Sequence, residues 1–312
     1  MSWKDILGQQ QAINILKKVI EQNRLASAYL FLGPDGVGKI KTAKQLAKIC
    51  NCQDIKEGDS CEICNSCYKI NHDIHPDVKL IKPAAMHFLL PQIQDLQKDV
   101  FVSPFEGRKK VYLLDEVDKM TPEAANAFLK TLEEPSPTTL FILITSRPET
   151  LLPTILSRCQ PVRFNLIPED IQSQIFLRWQ IEPSKISLLT QLSGGSIGKA
   201  KEYLEKDVFV SLEKLAPLLE SILKKEEGFL LICKLVTLIL ADYKKEDISL
   251  FFELLSVWLK QKLSVNFINL YRAIDVVMET QKMIKFKNAN LQLSLEVMFI
   301  NLKDILCQMN NW

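Results

Sequence analysis

The sequence predicts an α/β fold built on a parallel sheet, with an all-helical region after it, and three observations carry that expectation. Short apolar runs, AYLFLG (28–33), VYLLDEVD (111–118) and TLFILITS (139–146), alternate with stretches of helical period, as in chains that wind βαβ units into a parallel sheet. The first run passes through a glycine-rich turn straight into a helical pattern, KIKTAKQLAKIC. From Lys199 to Trp312 the chain holds one proline, Pro217, and one glycine, Gly228, among many Leu, Ile, Lys and Glu. A stretch so poor in breakers reads as a helical domain.

Composition sets the bounds. With 312 residues, 47% hydrophobic and 24% charged, the chain has the make-up of a soluble protein of two or three domains. A formal net charge of +2 gives no electrostatic case for gripping nucleic acid over the whole surface, although a local basic patch is compatible with it. The opening MSWKDILGQQ lacks a basic region followed by an apolar core, so no secretion signal is expected. The most apolar late stretch, FLLICKLVTLIL, is too short to span a bilayer and carries Lys234; it reads as a buried helix. The expectation is a cytoplasmic protein without membrane contact.

Residues 10–21 place Ala12, Ile13, Leu16, Val19 and Ile20 at helical spacing, which predicts an amphipathic first helix. AYLFLG then leads into GPDGVGKIKTA (33–43), where Gly33, Gly38 and Lys39, with Gly36 between them, follow the phosphate-loop pattern G-x-x-x-x-G-K-[ST] up to its last position. Glycines let backbone N–H groups close on phosphate oxygens, and the lysine reaches the terminal phosphates. Ile40 stands where the pattern has the hydroxyl that holds Mg²⁺. Thr42 is no substitute, because two residues along a helix is a rotation of about 200°.

Five of the eight cysteines crowd into CNCQDIKEGDSCEICNSC (50–67), and disulfides rarely persist in the cytosol. Cys61, Cys64 and Cys67 make two successive C-x₂-C steps, and Cys52 lies one C-x₈-C step earlier. Four thiolates close a tetrahedral Zn²⁺ site with no open position, so the expected ion is structural. The plainer alternative is a set of free thiols in a loop. Cys50 could replace Cys52, but it continues the helical pattern and is expected to pack. His72 and His75 lie nearby and are not needed as ligands.

DVKLI (77–81) reads as a further strand, and VYLLDEVD as a buried parallel strand with Asp115 and Glu116 at its carboxyl end. Beside a phosphate loop these two carboxylates suit metal orientation and activation of water; alone they would read as a surface pair. Thr121 caps a helix that has Pro122 first and Phe128, Leu129 and Leu132 on its inner face. TLFILITS is another buried strand, and PVRFNLI (161–167) alternates like an outer one. After about residue 168 the texture turns helical, with SGGSIG (193–198) marking a turn inside a small helical segment.

DILGQQQAINIL, AYLFLGPDGVGK, the C-x₈-C-x₂-C-x₂-C module, VYLLDEVDKM, ANAFLKTLEEP and LLPTILSRCQPVRF together resemble the clamp-loader ATPases of bacterial DNA polymerase III. The resemblance covers nearly the whole chain. It implies a RecA-like AAA+ domain over residues 1–167 with a zinc module inserted at about 50–68, a helical lid over 168–205, and a helical collar over 206–312. It also implies that Arg158, in the Ser157–Arg158–Cys159 motif, is an arginine finger reaching a neighbour's ATP, and that the sensor-1 position falls on Thr145 or Ser146. The motor members of that family, γ/τ, keep the hydroxyl after the loop lysine and an arginine in the lid pattern G-S-x-R-x-A. Here those positions are Ile40 and Gly198. Losing both while keeping Arg158 resembles the δ′ branch, as does the lack of a long tail after the collar.

On that resemblance the partners are γ/τ and δ subunits in a hetero-oligomeric ring, with the sliding clamp and primed DNA engaged through the complex. Intrinsic ATPase is expected to be weak or absent. Whether ATP or ADP occupies the degenerate loop stays open. One alternative is a working ATPase, a γ/τ-type motor or a repair-helicase-like protein. Another is a zinc-stabilised DNA-binding adaptor, against which the near-neutral charge and the lack of a basic aromatic tract argue.

Overall fold

In the computed structural model, five strands form one sheet in the order β2-β3-β4-β1-β5, every neighbouring pair parallel. The structure describes residues 2–223, 229–243, 248–262, 267–287 and 289–307. The strands are β1 (Ala28–Leu32), β2 (Val78–Ile81), β3 (Lys110–Leu114), β4 (Thr139–Thr145) and β5 (Gln160–Arg163). β4 and β1 lie centrally in register, Leu30 opposite Leu143 and Leu32 opposite Thr145. Every residue of β3 and β4 is buried, which is why both read as unbroken apolar runs. β5 is the outer strand its alternation predicts.

Helices α1 (Gln10–Glu21) and α2 (Lys39–Asn51) cover one face; α3 (Asn65–Asn71) follows, then α4 (Leu90–Val100), α5 (Pro122–Glu133) and the one-turn α6 (Pro153–Leu156). Strand alternation sends Tyr29 and Phe31 into a core with Leu16 and Leu46, while Ala28 and Leu30 join Ile93, Phe128 and Ile155 on the other side. α5 starts as its sequence predicts, with the Thr121 side chain accepting from the Ala124 amide and Pro122 in the first turn. α4 is an addition to the sequence reading. Its buried residues Ile93, Leu96 and Val100 keep helical spacing behind Pro91.

The remaining helices are α7 (Glu169–Arg178), α8 (Pro183–Ser193), α9 (Ile197–Glu205), α10 (Val208–Leu223), α11 (Phe229–Asp242), α12 (Ile248–Lys262), α13 (Phe267–Phe286) and α14 (Leu291–Cys307). Two compact units result: Met1–Ile186 with Ser193–Lys199, and Ser187–Leu192 with Ala200–Trp312. Residues 168–205 are therefore shared, the turn before α9 going with the sheet. In the helical unit the core gathers around Phe251, whose ring lies 5.6–6.2 Å from those of Phe252, Tyr243 and Phe299, and Tyr203 hydrogen-bonds Glu253. Pro217 sits inside α10. Among the described residues, no helix is long and apolar enough to cross a membrane.

Candidate nucleotide site and metal centre

β1 delivers the loop and α2 receives it. Gly38, at the N-cap of α2, has φ 104°, a left-handed conformation that glycine adopts without a Cβ penalty. Lys39 follows, almost fully buried. Its Nζ donates to the carbonyls of Gly33 at 2.5 Å and Pro34 at 2.6 Å and lies 3.5 Å from Asp35 Oδ1. Burial pushes the lysine pKa down, against the pull of Asp35, Asp115 and Asp118. Ile40 packs against the apolar core beneath the sheet. Thr42 is buried and its hydroxyl donates to the Gly38 carbonyl at 3.0 Å, so it faces back along the helix.

The loop is closed by the turn before α9 and by the first turn of that helix. The Ser196 hydroxyl donates to the Asp35 carbonyl at 2.7 Å, and the Gly198 amide to the Gly36 carbonyl at 2.9 Å. Backbone meets backbone here: a Cβ on Gly198 would stand 2.6 Å from Gly36 Cα, and one on Gly36 would stand 2.3 Å from Ser196 Oγ. Gly198 therefore has a packing role of its own.

Across the sheet edge, Asp115 follows β3, its amide bonded to the Ile81 carbonyl. Burial pushes its carboxyl pKa up, against the pull of Lys82 and Lys39. Glu116 holds φ 55°, left-handed and uncommon for a side chain of its kind, and pairs with Lys119 at 2.7 Å. At the end of β4, Thr145 is buried; its hydroxyl donates to Asp118 at 2.7 Å and accepts from the Arg147 amide at 2.9 Å. Arg147 also pairs with Asp118 at 3.0 Å. Ser146 is only half-buried. Sequence reasoning missed Asp118, the last carboxylate of the DEVD run, although its position two residues past Glu116 was visible. The strand ends thus bring Lys39, Asp115, Asp118 and Thr145 together at one edge.

Arg158 lies on the same unit, after α6. Its Nη1 donates to the Thr154 carbonyl at 3.0 Å and its Nη2 to Glu133 Oε1 at 2.6 Å. About a third of the side chain is exposed.

The ligand atoms of Cys52, Cys61, Cys64 and Cys67 all lie within 4.8 Å of one another and could hold a metal ion. Cys52 caps the end of α2 and Cys64 caps the start of α3, so two helix ends frame the cluster. Backbone amides of Cys61, Cys64 and Cys67 point at the sulfurs of Cys52, Cys61 and Cys64 at 3.3, 3.3 and 3.5 Å. Such N–H···S contacts stabilise thiolates, so the donor set fits zinc. Cys50 lies outside the cluster, packed in the core with its thiol pushed up to about 12 by burial. His72 is bonded to the Tyr68 carbonyl, and His75 Nδ1 accepts from the Asp77 amide. The module is fastened to α2 by Lys48–Glu62 at 2.6 Å and by Gln45 on Asp59 and Ser60.

A family model described as DNA polymerase III, delta subunit, matches residues 8–168. The DNA polymerase III subunit delta′ of Bacillus subtilis is 35% identical over 230 residues, which are 73% of this chain and 69% of that protein. The subunit gamma/tau of Mycoplasma genitalium is 34% identical over 212 residues, 66% of this chain but only 35% of that longer protein. A crystal structure of a DNA polymerase III gamma subunit-related protein from Thermotoga maritima covers 95% of this chain and 99% of its own at a TM-score of 0.57 and 20% identity, a likeness of fold alone. With the family model spanning the sheet domain and a delta′ relative matched over more than two thirds of its length, the chain belongs to the delta′ family of DNA polymerase III clamp-loader subunits.

Proposed function

We propose that this chain serves as the δ′ subunit of a bacterial clamp loader, hydrolysing little or no ATP itself while donating Arg158 to the nucleotide site of a neighbouring γ/τ subunit. The observation that carries the reading is one contrast. At the chain's own site a partly buried Ile40 packs against the core and Gly198 is pressed against Gly36, whereas Arg158 stays partly exposed on polar partners. An arginine placed where charge develops on a transferred phosphoryl group contributes roughly 10³–10⁵ in rate in GTPase systems.

In this reading Gly33, Gly36, Gly38, Lys39, Asp115, Glu116 and Thr145 form a degenerate site that retains a cradle for ATP or ADP phosphates. Cys52, Cys61, Cys64 and Cys67 hold one structural Zn²⁺, which ties the module to α2 and leaves no ligand position free for chemistry. Residues 1–167 form the ATPase-like domain, 168–205 the lid and 206–312 the collar that joins γ/τ and δ. The ring loads the sliding clamp onto primed DNA in the cytoplasm. A second reading, an active γ/τ-type ATPase, draws support from the gamma/tau relatives.

The experiment assembles the chain with purified γ/τ and δ subunits and compares wild type with Arg158→Ala in clamp- and DNA-stimulated ATPase. The expected result is negligible turnover by the isolated chain and a partial loss of complex ATPase in the variant, since other sites keep their own fingers. Substantial turnover by the isolated chain would favour the second reading. Unchanged ATPase in a fully assembled Arg158→Ala complex would leave Arg158 an ordinary surface residue.

A further inference from the structure

We infer that Glu133 is the positioning residue for Arg158, an in-cis counter-ion that holds the guanidinium ready for an anion on the neighbouring subunit; this rests on the arginine-finger reading above. Glu133 is the last residue of α5, and Glu134 follows as its C-cap. The negative end of the helix dipole makes this an unfavourable place for carboxylates. A local rule is therefore broken twice in succession, and such breaks tend to mark functional positions. For Glu133 the compensation is visible: its Oε1 accepts from Arg158 Nη2 at 2.6 Å.

Three contacts orient one guanidinium. Glu133 takes Nη2, the Thr154 carbonyl takes Nη1 at 3.0 Å, and Ser157 Oγ lies 3.5 Å from Nη1. Nε has no partner among the described residues. Arginine presents five N–H donors in a planar fork, so a carboxylate on one side leaves donors free for a phosphate oxygen on another. The restraint comes from a packed element. α5 is pinned by Phe128 and Leu132 in the core, whereas α6, before Arg158, is a single turn. Glu133 thus ties to a rigid helix a long side chain otherwise held only by Thr154 and Ser157 of the short segment that carries it. Fewer rotamers to lose means a smaller entropic cost when the anion is engaged.

The size of the effect follows from exposure. The carboxylate is about half exposed and the guanidinium about a third, and exposed pairs shift a local equilibrium by at most about fivefold. Removing Glu133 is therefore expected to slow the affected site about two- to fivefold, well short of removing Arg158. Because the finger acts on charge developing in the transition state, the loss falls on kcat and leaves KM for ATP unchanged.

The test uses the assembled complex with Glu133→Ala, Glu133→Gln, Arg158→Ala and the Glu133→Ala/Arg158→Ala double variant, each checked for subunit composition. Expected are a fall in the complex's kcat for Glu133→Ala that corresponds to about two- to fivefold at the affected site and stays smaller than the partial loss in Arg158→Ala, and a smaller fall still for Glu133→Gln, which keeps an acceptor. The double variant should match Arg158→Ala alone, since a positioning residue has nothing left to position. If Arg158→Ala lowers the rate but Glu133→Ala does not, or if the two losses multiply, the positioning role is wrong and the finger reading stands. If Arg158→Ala has no effect, both fall.

Discussion

Replacing Gly198 by alanine adds one methyl group where the first turn of α9 meets the phosphate loop. That methyl would sit 2.6 Å from Gly36 Cα, 3.5 Å from its carbonyl oxygen and 3.6 Å from its carbonyl carbon. Carbon atoms in contact prefer roughly 3.5–4.0 Å, so the two segments must part by about 1 Å. No flexible side chain can yield, because the opposing atoms are backbone. Parting breaks the Gly198–Gly36 hydrogen bond and loosens that from Ser196 to Asp35, each contributing about 0.5–1.5 kcal/mol net. Alanine gains up to about 1 kcal/mol over glycine in helix propensity, so the net destabilisation should be about 0.5–2 kcal/mol. Urea unfolding measures it, and native-state amide exchange at residues 33–40 locates it. Exchange there should quicken while that of β3 and α5 stays unchanged. A variant as stable as wild type, with unaltered exchange in the loop, would refute the close-contact argument. By the same geometry, Ile40→Thr combined with Gly198→Arg should not create a motor, because the arginine cannot enter without first displacing the loop.

Purified protein should carry about one Zn²⁺, with Cys67→Ser losing it and Cys50→Ser retaining it; elemental analysis decides, and substoichiometric metal in zinc-replete protein would remove the site. Lys39→Ala should leave the ATPase of the assembled complex within about twofold of wild type, and a large loss with normal assembly would mean that this loop is used in catalysis. The carboxyls of Glu62 and Asp99 are affected by burial, which raises them, but Lys48 and Ser60 in one case and Lys79, Tyr112 and Lys110 in the other bring both down to about 2. Their folded values lie below the unfolded ones of about 4, so the stability they contribute is full above about pH 5 and is lost as pH falls toward 2. Acid unfolding followed by circular dichroism should be shallower between about pH 4 and 2 in Asp99→Asn than in wild type, and identical slopes would exclude Asp99 as a source.

The sequence by itself determined the elements whose signals are local. β1, β3 and β4 were legible because strands buried on both faces are continuous apolar runs, and Thr121–Pro122 marked α5 because a cap and its proline are neighbours. The four cysteines could be chosen because metal ligands on short turns keep fixed spacings, and the vacancy left by Ile40 could be seen because the phosphate-loop pattern is contiguous. Tertiary structure decided whatever joins distant segments. Spacing could not show that Gly198 is needed as a glycine, since its partner lies in a loop about 160 residues away, as the Ser196–Asp35 bond beside it does. Nor could it separate Thr145 from Ser146 in their surroundings, because burial and the bond to Asp118 come from the meeting of β4 with the turn after β3. Glu133 carried no signal of its own within ANAFLKTLEEP; only packing places it against Arg158, 25 positions on. Pattern reports the chemistry a segment carries; only folding decides which segments share it.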